Sequence, residues 1–137
     1  MAKMAKQIPR DLNTSNPREA ALAVLVHFGE ADTDADRLLH DLLARGGIEG
    51  ADARLATELT LGVLRRRSQL DAMLKPLTRG PFHKTPRLLR ELLRLGAYQI
   101  VHLDRIPDHA AVSESVELAK RWAPKGAGMV NAILRRI

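Results

Sequence analysis

Apolar residues recur at intervals of three and four along most of this chain, the period of one buried helix face. Ala21, Val24, Leu25 and Phe28 form the first stripe. Asn16 is a good N-cap for it, Pro17 suits the first helical position, Glu19 the third, and Gly29 closes it. Leu38, Leu39, Leu42 and Leu43 form a second stripe, opened by a Thr33/Asp36 capping box and stopped by Gly46-Gly47. Leu55, Leu59 and Val63 mark a third, from near Asp52 to Arg65-Arg66-Arg67, with Arg54 and Glu58 one turn apart. Leu70, Met73, Leu74 and Leu77 mark a fourth, with a Ser68/Asp71 capping box and Pro76 to kink or end it. Thr78–Thr85 reads as a loop.

The fifth stripe starts at Thr85-Pro86 and is the longest. Leu89, Leu93, Gly96, Ile100 and Leu103 share a face, with Leu88, Leu92 and Leu95 beside it. So wide an arc predicts a central helix buried on more than one side. Gly96 costs about 1 kcal/mol there relative to Ala, which predicts close approach of a neighbouring helix. A sixth helix, capped by Asp108 after Pro107, carries Val112, Val116, Ala119 and Ala123. A seventh carries Gly126, Met129, Val130, Ile133 and Leu134. No Gly, Asn or Pro follows to stop it, so it is expected to run to Ile137 and the chain to be a domain cut from something longer.

No window alternates with period two. The fold expected is all-α, a compact bundle of about seven helices over residues 16–137. Residues 1–15 lack periodicity, carry Lys3, Lys6 and Arg10, and read as a flexible basic arm. With 45% hydrophobic residues the chain can fill a core. It contains no cysteine, which excludes disulfides, thiolate metal sites and cysteine nucleophiles from this chain. No apolar run approaches the roughly 18 residues of a membrane span, and no secretory signal follows Met1, so no membrane partner and a cytoplasmic location are expected.

Charge changes the picture more than composition does. The formal net charge is +6, unevenly spread: residues 30–58 hold eight acidic and three basic residues, residues 60–94 two acidic and nine basic. A basic surface of this kind points to a polyanion, most often nucleic acid. Two Phe, one Tyr and one Trp are too few for base-stacking platforms. RNA contact would therefore run through Arg and Lys to phosphates. The candidate RNA-binding residues are Arg18, Arg65, Arg66, Arg67, Lys125, Arg135 and Arg136, with the basic arm as a helper. Arg65, two residues from Val63, is expected to have a partly buried stem. Arg87, Arg90 and Arg94 are expected to face outward from the fifth helix.

Catalytic chemistry finds no support. His27, His40 and His83 stand apart, and the cluster His102, Asp104, Asp108 and His109 straddles a turn with Arg105 inside it. Its members have helix-end roles, so no metal site is expected. Glu114 and Glu117 could act as a carboxylate pair, but Lys120 and Arg121 follow Glu117 at three and four residues, which makes an ion-pair face. Gly126 and Gly128 open a helix and are read as a packing contact rather than an anion site.

Several segments taken together resemble the NusB-like family. They are Pro17-Arg18-Glu19-Ala20-Ala21, Gly62-Val63-Leu64-Arg65 with Leu70-Asp71, and Arg94-Leu95-Gly96-Ala97-Tyr98-Gln99. Ile106-Pro107-Asp108-His109-Ala110-Ala111 through Lys120, and Val130-Asn131-Ala132-Ile133-Leu134-Arg135-Arg136, complete the set. The segments around Gly62 and Ile106 look more like the N-terminal domain of Sun/RsmB-type rRNA 5-methylcytosine methyltransferases. That resemblance implies a non-catalytic domain that holds rRNA and docks on a catalytic domain absent from this chain. S-adenosylmethionine would bind only in that missing domain, and no cofactor is expected here. The other branch is the free-standing antitermination factor, which binds box A RNA with a small-subunit ribosomal protein. Its dense arginine cluster before the first helix is missing, since only Arg10 and Arg18 lie near. A helical protein-interaction module is the third reading.

Overall fold

Nine consecutive residues of one helix, Glu91 to Gln99, are buried, and the other elements are arranged around them. The computed structural model describes residues 7–31 and 33–137. In chain order the α-helices are α1 (Pro17–His27), α2 (Ala35–Gly46), α3 (Gly50–Arg65), α4 (Arg67–Leu74), α5 (Arg87–His102), α6 (Asp108–Trp122) and α7 (Ala127–Leu134). Short 3-10 turns occupy Lys75–Leu77, Phe82–Lys84 and Pro124–Gly126, and the described residues contain no strand. Helix α5 touches α1, α3, α4, α6 and α7, as its wide apolar arc predicts.

Gly96 is where three helices converge. A Cβ there would lie 2.5 Å from Leu134 Cδ1 on α7 and 2.9 Å from Ser115 Oγ on α6. Gly126 does the same for the turn before α7, where a Cβ would sit 2.6 Å from Leu89 Cδ1, whereas Gly128 faces open space. The expected packing contact therefore belongs to Gly126 alone.

Part of the arm expected to be flexible is folded down. Residues 1–6 lie outside the described residues, but Ile8 is 1% exposed and Leu12 is buried in the same core. His27 at the end of α1 fixes this segment: its Nε2 meets the Ile8 carbonyl at 2.7 Å and its Nδ1 meets Glu30 at 2.5 Å. Phe28, counted with the first stripe, is 37% exposed.

Helix starts also differ in detail. Asn16 caps α1 as expected, accepting from the N–H groups of Arg18 and Glu19. Asp34, not Thr33, caps α2. Neither Ser68 nor Asp108 caps a helix with its side chain. Helix α7 stops at Leu134, and Arg135 and Arg136 form a turn through Arg136 N–H to the Ile133 carbonyl at 3.1 Å. Side-chain chemistry permits a cap, but local competition among neighbouring donors decides which residue makes it.

Candidate nucleic-acid interface

The basic segment is organised by two carboxylates that α4 and α5 place at the core edge. Asp71 on α4 is not a cap: it accepts from Arg94 Nε at 2.6 Å and Arg94 Nη2 at 2.9 Å, a two-pronged pair. Glu91 is 0% exposed and accepts from Arg94 Nη1 at 3.1 Å and from Arg67 Nη2 at 3.0 Å. Arg87 Nε lies 4.0 Å from the same carboxylate. Arg94, expected to face outward, is 4% exposed and also lies over the Phe82 ring at 5.4 Å. Burial opposes its charge, but Asp71 and Glu91 outweigh that and raise its pKa.

The seven candidate RNA-binding residues divide into those already engaged and those free. Arg67 is held by Glu91, and Arg18 donates from Nε to Gln99 Oε1 on α5 at 2.7 Å. Their first role is to tie elements together. Arg65, Arg66, Lys125, Arg135 and Arg136 are exposed and enter no ion pair among the described residues. Arg65 is exposed at the end of α3, and no ion pair among the described residues holds its head.

The turn after α7 splits Arg135 and Arg136 between two grooves. Arg136 lines a groove of about 670 Å³ together with Arg79, Lys84, Leu77, Met129 and Ile133, and no carboxylate lines it. Arg135 lines a second groove of about 640 Å³ against α6, with His109 and Lys120. Arg65 and Arg66 line neither; the charge of Arg66 acts instead on His102, whose Nε2 meets Gln69 Oε1 at 3.1 Å. Partial burial and the Arg66 charge together lower the His102 pKa.

Arg79 and Lys84 were not among the candidates, although the sequence marks them. Residues 72–90 hold Lys75, Arg79, Lys84, Arg87 and Arg90 and no Asp or Glu. What the sequence hides is that part of this segment and α7 line one groove, which holds Arg79 and Lys84 together with Arg136.

The acidic side chains show the complementary pattern. Glu117 pairs with Lys120 at 3.3 Å, as its spacing predicts. Arg121 goes elsewhere, to Glu19 at 3.3 Å, and Glu58 pairs with Arg105 at 2.6 Å rather than with Arg54. Among the described residues no group of His, Asp and Glu could hold a metal ion. No helix there is long and apolar enough to cross a membrane.

This helical order and these motifs find a match in one family over residues 15–137, the NusB family. The chain belongs to the NusB family. Among curated relatives it is 37% identical over 120 residues to a probable ribosomal RNA small subunit methyltransferase B of Synechocystis sp., covering 87% of this chain and 27% of that protein. It is 42% identical over 126 residues to the ribosomal RNA small subunit methyltransferase B of Thermus thermophilus, covering 92% and 31%. The chain thus spans less than a third of those methyltransferases. It is 32% identical over 127 residues to the transcription antitermination protein NusB of Symbiobacterium thermophilum, covering 85% and 83%. The fold matches T. maritima NusB with a TM-score of 0.79 at 24% identity, covering 95% of this chain and 90% of that one. It also matches a chain in the complex of antitermination factors NusB and NusE with dsRNA, with a TM-score of 0.77 at 20% identity, covering 89% and 92%. This NusB-family chain is therefore an all-helical domain related to both rRNA methyltransferases and antitermination factors.

Proposed function

We propose that this chain is the rRNA-holding, non-catalytic N-terminal domain of an rRNA cytosine-5 methyltransferase. The observation that carries RNA holding is the set of exposed, unpaired cations Arg65, Arg66, Lys125, Arg135 and Arg136 among the described residues. Free guanidinium and ammonium groups release counterions when they meet phosphates, and this drives binding. The methyltransferase branch is supported by 37% and 42% identity over about nine-tenths of the chain, against 32% to the antitermination protein. In that reading S-adenosylmethionine and the catalytic cysteines belong to a catalytic domain, and this domain docks against it.

The test is binding of small-subunit rRNA fragments across a salt series. Engagement of about four phosphates gives a slope of log affinity against log salt near −3. A slope near zero, or no binding at low salt, overturns RNA holding. Selective binding of box A RNA over a scrambled strand, strengthened by a small-subunit ribosomal protein, overturns the methyltransferase branch in favour of the antitermination factor.

A further inference from the structure

Beside the Arg94–Asp71 pair lies a smaller pocket, of about 400 Å³, between α4, the Phe82–Lys84 turn and α5. Lys75, His83, Arg90 and Arg94 line it together with Phe82, and Asp71 is its one carboxylate. We propose that this pocket is a phosphate-group site, taking either one phosphate of an RNA backbone or a free phosphate ion.

Three observations lead there. The first is charge. Arg67, Arg87, Arg90 and Arg94 gather around Glu91 and Asp71, and Lys75 joins them at the pocket. Both carboxylates are spoken for: Asp71 by two nitrogens of Arg94, Glu91 by Arg94 and Arg67. Neither Arg90 nor Lys75 enters an ion pair among the described residues.

The second is an orphaned donor. Arg90 Nε is buried and has no hydrogen-bond partner, and Arg67 Nη1 nearby is in the same condition. A guanidinium cannot escape by losing its proton, so a buried N–H without an acceptor is a standing cost, which an anion in the pocket relieves once the Arg90 side chain turns toward it. Burial and the neighbouring charge of Arg94 lower the Arg90 pKa, the sign expected of a cation short of counter-charge.

The third is shape. Donors reach the pocket from three elements: Lys75 from the turn after α4, His83 from the Phe82–Lys84 turn and Arg90 from α5. A tetrahedral phosphate offers oxygens in several directions, whereas a planar carboxylate offers two in one plane. The site lies apart from Arg65, Arg66 and Arg135, and it stands whether or not those residues hold RNA.

The experiment follows the Arg90 Nε–H resonance of the whole chain by NMR during titration with sodium phosphate, against sodium chloride and sodium acetate at matched ionic strength. A saturable shift with phosphate alone is expected. Lys75→Gln, at an exposed position that should not disturb folding, weakens that binding about tenfold, and Arg90→Gln abolishes the phosphate-dependent rise in Tm. A backbone phosphate is the source if Arg90→Gln and Lys75→Gln each reduce the rRNA salt slope by about one and inorganic phosphate competes with RNA. Free phosphate is the source if those variants lose phosphate binding and leave the slope unchanged. No saturable shift, an equal shift with acetate, or phosphate binding untouched by both substitutions overturns the site.

Discussion

Arg94 holds Asp71 with two nitrogens, at 2.6 and 2.9 Å, while its third reaches Glu91 at 3.1 Å. One guanidinium thus joins α4 to α5 and neutralises two carboxylates at the core edge. Removing it leaves Asp71 without an ion-pair partner among the described residues and leaves buried Glu91 to Arg67 and Arg87. Arg94→Met should cost about 3–5 kcal/mol of stability, the range for breaking a buried pair from one side. Urea denaturation of the two proteins measures this. A loss below about 1 kcal/mol would mean that water reaches Asp71 and Glu91 freely.

Trp122 Nε1 donates to Glu19 Oε2 at 2.8 Å, across 103 residues of sequence, and Glu19 is 1% exposed. This bond closes the end of α6 onto the start of α1. Trp122→Phe keeps one six-membered ring and removes the donor, leaving Arg121 as the one partner of that carboxylate among the described residues. A loss of about 1–3 kcal/mol is expected by thermal or chemical unfolding.

Gly96→Ala sets two effects against each other. Helix propensity favours Ala by about 1 kcal/mol. The new methyl meets Leu134 and Ser115, and Leu134 is buried with little room to move. Overpacking of about 1–3 kcal/mol wins, so the substitution lowers Tm. Trimming Leu134 to Val in the same chain should cost less than the two single changes added together.

His102 sits in the last turn of α5 with its pKa lowered by partial burial and by Arg66. The folded state therefore favours the neutral ring. Its contribution to stability is complete above the ordinary imidazole pKa of about 6.5 and is lost as pH falls through the lower folded value. NMR titration should show its midpoint below the ordinary value, and Arg66→Gln should move it upward without removing the burial effect. If an RNA phosphate binds at Arg66, adding RNA should also raise that midpoint.

The arginines should separate by assay. Arg66→Gln and Arg136→Gln, both at exposed unpaired positions, should each reduce the rRNA salt slope by about one and leave Tm nearly unchanged. Arg67→Gln, which removes a charge from buried Glu91, should lower Tm instead. Equal effects of all three on the slope would show that ion pairing does not divide them.

Helical period, cap residues and the misfit glycine at Gly96 lie within a few residues of one another in sequence, so the helices and the central role of α5 were legible there. Asn16 and the Glu117–Lys120 pair were legible for the same reason. Arg94 was not. Its spacing from Arg87 and Arg90 placed it on an outward face, and nothing local reveals that Asp71, 23 residues earlier on α4, lies opposite. Glu19 looked like a capping partner until α6 brought Trp122 to it.

The sequence by itself determined the all-helical class, the order of helices, the family and the concentration of positive charge, because each is written in residue type and short-range spacing. Tertiary structure alone decided which cations are free. An arginine's availability depends on whether a carboxylate from another element lies within about 4 Å, and a pair such as Arg94–Asp71 forms only when α4 and α5 pack. Packing of α5 against its neighbours takes Arg67 and Arg18 partly out of the candidate set, and the tertiary fold puts Arg79, Lys84 and Arg136 on the lining of a single groove.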